Sequence, residues 1–179
     1  MKKFLLIVTS VFLIQGANGF AQSLNLKNVV VVAQQDKLKD QYTLELAIVE
    51  LMRDNNVNAI ASLNIVPDGR DPVVLATDSL QRNLLNKGFD TYMLVSVRGY
   101  DKRFNPPENL VNMKEELSAG HLFQLWRESA STVTFTVIFY RNNVPAHSEL
   151  IRVRARGSKD KMMKGFTRKM ERRLKKGWI

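Results

Sequence analysis

The sequence predicts an α/β (α+β) fold in which a mixed five-stranded sheet carries about three helices, mainly on one face. Three observations lead there: a β-branched run at Asn28 to Ala33 followed by helical periodicity, a second strand–helix succession after it, and a late pair of alternating segments joined by turn residues. Alternating β and α elements favour parallel neighbours, while a hairpin has to be antiparallel. The sheet must therefore be mixed.

The chain of 179 residues opens with Lys2 and Lys3, an eleven-residue and mostly apolar run from Phe4 to Ile14, and then small residues. That pattern reads as a signal peptide over residues 1–21, cleaved after Gly19 or after Ala21. The run is shorter than the ~20 apolar residues a membrane span needs. An uncleaved anchor is the rival reading. Residues 22–179 then form a single domain ending in a basic amphipathic helix. The chain has no cysteine, so disulfides, thiolate metal sites, a cysteine nucleophile and lipid attachment at a cysteine are all excluded. A domain of this size can be held by burial alone. The style of the leader points to the periplasm, with further secretion or peripheral membrane attachment also open.

Asn28 to Ala33 is too uniformly apolar for a strand with one wet face, so it belongs in the middle of the sheet. Gln41 to Asn55 places Leu44, Ala47, Ile48, Leu51 and Met52 on one helical stripe, with Glu45, Glu50 and Arg53 on the other side. Val57 to Val66 reads as the second strand. Asp68 to Pro72 reads as a turn, because two carboxylates are a poor calcium set. Thr77 or Asp78 starts a short helix carrying Leu80, Leu84 and Leu85, which Gly88 stops. Phe89 to Arg98 alternates as the third strand.

Gly99 to Ser118 turns polar around Pro106 and Pro107 and is the longest loop, and long ordered loops are often functional. Leu117 to Ser129 suggests a short helix or turn around Leu122, Phe123, Leu125 and Trp126. Ser131 to Tyr140 and Ser148 to Arg156 form a hairpin across Arg141 to Pro145. Ser158 caps the last helix, Lys159 to about Lys176. The hairpin matches Val133, Phe135, Val137 and Phe139 with Ile151, Val153 and Ala155 on one apolar face. Tyr140, Arg152, Arg154 and Arg156 fall on the other, beside Tyr92, Ser96 and Arg98.

Charge is concentrated at the end of the chain. Arg152 to Ile179 holds twelve basic residues and two acids, a net +10, whereas the rest of the mature chain holds 13 basic and 15 acidic residues. The candidate partner-binding residues are Arg152, Arg154, Arg156, Tyr140 and Arg98 on the sheet, and Lys164, Arg168 and Arg172 on the last helix. Arginine forks and tyrosine rings supply directional contacts to an anionic or protein partner. A plainly solvated sheet face and a solvated helix face are the competing accounts. A third reading puts the helix on anionic lipid, with Trp178 and Ile179 dipping into the interface. A pI of about 10 would suit nucleic acid, but export and the lack of a helix-turn-helix argue against that partner.

No catalytic or cofactor motif is present, so no catalytic, metal or cofactor residue is assigned and the reading is non-enzymatic. His121 and His147 lack carboxylates at ligand spacing. A carboxylate-pair hydrolase assembled in three dimensions stays open, with Gly99 to Ser118 as its place.

The strand Val29 to Val32, the helix ending at Ala47 to Met52, the segment Ala59 to Ser62, the run Gly88 to Val97 and the closing hairpin and helix together resemble small bacterial envelope domains. The resemblance is to the penicillin-binding-protein activator, curli-secretion channel and related lipoprotein families. It spans Asn28 to Leu174 as an order of elements and implies a non-enzymatic envelope accessory protein with an envelope protein partner. The lipidated cysteine of those families is missing here, and no binding residue carries over by motif.

Overall fold

The first strand, β1 (Asn28–Gln34), is buried from Val29 onward, as an all-apolar strand in the sheet interior must be. The computed structural model describes residues 24–66, 71–120 and 123–179. The signal-peptide reading, most of the turn at 67–70, and His121 and Leu122 lie outside them. After β1 come α1 (Leu38–Asp54), β2 (Asn58–Ala61), α2 (Asp78–Asn86), β3 (Thr91–Tyr100), α3 (Met113–Ala119), β4 (Thr132–Arg141), β5 (Val144–Arg154) and α4 (Lys159–Arg173). The strand order is β2-β1-β3-β4-β5. β1 runs parallel to β2 and β3, and β3, β4 and β5 are mutually antiparallel neighbours. The mixed five-stranded α/β sheet is thus present.

The two long helices, α1 and α4, cover one face through Leu44, Ile48, Met52, Phe166 and Met170, which meet Val31, Met93, Val95, Phe135 and Val153 in one core. Phe135 and Phe166 lie with ring centroids 4.3 Å apart. Gly165 lets α4 approach β5 closely, since a Cβ there would sit 2.9 Å from Val153 Cγ1. The opposite face carries a second core of Val30, Val32, Tyr92, Leu94, Ile138 and Tyr140 under Leu75, Leu84, Met113 and Leu117. Two short helices, α2 and α3, and a 3₁₀ turn at Pro72–Ala76 therefore close what the pattern left as a wet face.

Several boundaries differ from the sequence reading for identifiable reasons. The second strand stops at Ala61, where Ser62–Asn64 make a 3₁₀ turn that points Ser62 and the Leu63 amide at Glu45. Glu45 itself is fully buried rather than on the polar side of α1. The helix expected after Leu117 instead lies earlier: Asn112 accepts from the Glu115 amide as its cap, and Gly120 ends it in a left-handed conformation. Residues 123–131 form no regular element, yet Leu125 is buried and Trp126 Nε1 donates to the Ala155 carbonyl at 2.9 Å. The hairpin turns on Asn142 and Asn143 alone, both at positive φ (50° and 65°), as a two-residue turn of right-handed twist requires.

Candidate partner-binding surface

β5 is an edge strand, with β4 as its single neighbour. Residue alternation sends Ile151 and Val153 into the core under α4 and leaves Arg152 and Arg154 exposed on the other side. Arg156 follows in the exposed connection to α4. The Arg152 guanidinium rests on the Thr132 hydroxyl at 3.2 Å.

α4 begins with the Ser158 hydroxyl accepting from the Lys161 amide at 3.3 Å. Its stripe of Met162, Met163, Phe166 and Met170 is buried. Lys164, Arg168 and Arg172 project into solvent. Lys169 reaches across the sheet edge and donates from Nζ to the Arg152 carbonyl, occupying a backbone acceptor the edge strand would otherwise present. Partial burial against that edge, and then the guanidinium groups of Arg168, Arg172, Arg173 and Arg152, hold the Lys169 ammonium below the ordinary lysine range. Four arginines and a lysine from two elements therefore converge at one place.

Carboxylates relieve only part of this charge. Arg173 pairs with Glu149 at 2.8 Å, Lys175 with Glu171 at 2.5 Å, and Lys159 with Asp40. Among the described residues no carboxylate is paired with Arg152, Arg154, Arg156, Lys164, Arg168 or Arg172. Arg172 and Arg173 in the last turn of α4 also complement the negative end of its dipole.

Two residues placed on this surface by the sequence pattern do not join it. Tyr140 has no exposed area: it pairs with Tyr92 across β3 and β4 beneath the short helices, and burial drives its hydroxyl pKa up. Tyr92 is likewise buried and pushed up to about 12. Arg98 is exposed but sits at the far end of β3, where it is the extra residue of a bulge between Val97 and Gly99. There it lines a crevice under the 101–112 loop. Gly99, at φ 151°, allows that loop to fold back, because a Cβ would meet the Phe104 ring at 2.6 Å. Trp178, which the lipid reading alone would dip into a membrane interface, is buried edge-on against Phe139 with centroids 4.9 Å apart. Lys169 and Arg173 complete the cluster but went unselected, although their i+1 spacing from Arg168 and Arg172 puts them on the neighbouring helical row.

Among the described residues the crevice beside Arg98 is lined by one carboxylate, Glu116, and one guanidinium. No three His, Asp or Glu side chains among the described residues converge as metal ligands. Among the same residues no helix is long and apolar enough to cross a membrane.

No protein-family model matches the chain, and no curated protein matches it. Among solved structures it is similar to lipoprotein GNA1162 from Neisseria meningitidis, at a TM-score of 0.41 and 10% identity over 72% of this chain and 82% of that one. It is also similar to the PelC dodecamer from Paraburkholderia phytofirmans, at a TM-score of 0.44 and 9% identity over 83% of this chain and 86% of that one. Both likenesses are remote.

Proposed function

We propose that this chain is a non-enzymatic periplasmic accessory protein of the bacterial envelope that docks an acidic protein partner on its basic strand–helix edge. The observation that carries the reading is the convergence of Arg152, Arg168, Lys169, Arg172 and Arg173, in which Arg173 alone has a carboxylate partner among the described residues. Holding like charges together is unfavourable, and an anionic surface relieves it while steering the encounter.

The test is crosslinking and affinity capture of the mature protein from native envelopes at low and raised salt. Wild type should retain a specific acidic protein that is lost on raising the salt. The Arg152→Glu, Arg168→Glu, Arg172→Glu triple variant should lose it at low salt. Unchanged capture by that variant would sink the proposal. The alternative, attachment to anionic lipid, is weakened by the burial of Trp178, which leaves charge and the half-exposed Ile179 to hold the surface. Co-sedimentation with anionic vesicles, absent with neutral ones and equal to the protein capture in its sensitivity to the triple variant, would favour lipid instead.

A further inference from the structure

β1 connects to β2 through α1 over one face of the sheet, and β2 connects to β3 through the 3₁₀ turn and α2 over the other. The carboxyl ends of β1 and β3 therefore flank a point where the winding reverses. Open α/β sheets bind their ligands in the crevice that such a reversal leaves.

What lies at that point here is polar and incompletely satisfied. Gln34 is in register with Ser96, and Ser96 with Thr136, so one row crosses three strands on the α3 side. All three are at most 6% exposed. Gln34 Nε2 donates to the carbonyls of Glu116 and Leu117 at 3.3 Å, tying the end of α3 to β1. Its Oε1 and the Thr136 hydroxyl have no partner in the protein. Of the six buried side-chain polar atoms without a protein partner among the described residues, these two lie on this row. Such atoms are few in native proteins, and a cluster of them calls for a reason.

A cavity of about 220 Å³ opens at the β3–β4 end of this row, over Ser96 and Thr136. Ser96 and Thr136 form its floor, Leu110 and the half-exposed Phe123 an apolar wall, and Arg98 and Glu116 bring opposite charges to it. Drug-sized pockets run to about 300–1,000 Å³. This one is room for about seven waters at the ~30 Å³ each takes in the liquid, which limits any occupant to a small molecule.

We propose that this crevice binds a small zwitterion of the amino-acid class. The carboxylate lies between Arg98 and the Ser96 and Thr136 hydroxyls, the ammonium faces Glu116, and the apolar portion lies against Leu110 and Phe123. A guanidinium fork suits a carboxylate, and the opposed acid penalises a plain anion.

The probe set is the standard amino acids, each compared with its deaminated acid and its carboxamide, added to the mature protein and read by thermal shift and titration calorimetry. At least one amino acid should raise Tm and bind, and both of its analogues should bind tenfold or more weakly. Arg98→Gln, a surface change, and Thr136→Val, which keeps the side-chain shape, should each weaken binding at least tenfold. Three results would overturn the site: no probe raises Tm, the deaminated acid binds as well as its parent, or both variants bind like wild type. Should Thr136→Val fail to fold, Arg98→Gln alone still decides.

Discussion

Two groups of buried polar atoms lie at the carboxyl end of the parallel strands, one on each side of the sheet, and they differ in how fully the protein satisfies them. On the α1 side, the Glu45 carboxylate accepts from the Ala33 amide at 2.9 Å, the Ser62 hydroxyl at 2.6 Å, Gln41 Nε2 at 3.1 Å and the Leu63 amide at 3.2 Å. On the α3 side, Gln34 Oε1 and the Thr136 hydroxyl have no protein partner. A closed network stabilises the fold, because each member answers another. An open one leaves hydrogen-bonding capacity for something from outside. The difference separates a structural device from a candidate site on chemistry that looks similar in composition.

The sharpest way to break the comparison is to remove the centre of the closed network. Glu45→Ala leaves the Ala33 amide and the Ser62 hydroxyl buried without an acceptor, at about 1–3 kcal/mol for each such group, and deprives the part-buried Leu63 amide of its partner. The expected loss is about 3 kcal/mol or more in urea unfolding, with an unchanged m-value. A loss under about 1 kcal/mol would show that these donors find other partners and that the network is not closed.

Titration gives a second handle on the same residue. Burial raises the Glu45 pKa above its ordinary 4.5, against the pull of its four hydrogen bonds. The folded chain then holds the proton in a range where the unfolded chain has lost it. Stability should therefore fall as pH climbs from about 4.5 through the raised value, and stay level above it. Glu45→Gln should remove this part of the pH dependence in a series of denaturant midpoints. An unchanged profile would assign the dependence to another group.

A smaller effect comes from the rim of the network. Ser62→Ala deletes one hydrogen bond to a carboxylate, and should cost about 1.5–3 kcal/mol where Glu45 is ionised. Thermal melts at neutral and acid pH should show the cost shrinking as Glu45 takes up its proton.

The architecture was legible because apolar periodicity reports packing. The uniformly apolar β1, the stripes of α1 and α4, and the hairpin pairing Phe135 with Ile151 all appear in the core as the alternation dictates. Legibility failed where the covering element is short or irregular. α3 spans seven residues, too few for a periodic signal, and without it Tyr140, Thr136 and Ser96 read as a wetted surface. The charge of the β5–α4 edge was plain in the sequence, but the contact of Lys169 with the β5 backbone depends on how closely Gly165 seats the helix. Glu45 was misplaced because a carboxylate on a helix is ordinarily solvated, and its partners Ala33 and Ser62 lie 12 and 17 positions away. A signal was nonetheless present for the polar row: Gln34 closes the apolar run of β1.

The comparison predicts its smallest effect on the open side. Thr136→Val keeps the shape of the side chain and deletes a hydroxyl that no protein group answers. Replacing an unmatched buried polar group with an apolar one of the same shape is close to neutral or stabilising. The variant's unfolding free energy should stay within about 0.5 kcal/mol of wild type or rise above it, in the urea-unfolding assay used for Glu45→Ala. The two hydroxyls, one on β4 and one in the 3₁₀ turn after β2, are deleted at similar burial, 6% and 3% exposed, so their difference reports partners and not burial. If Thr136→Val costs as much as Ser62→Ala, its hydroxyl already has a tightly held partner and the crevice is a closed network like the one around Glu45. If it costs nothing while ligand affinity falls, the hydroxyl contributes to recognition and not to folding.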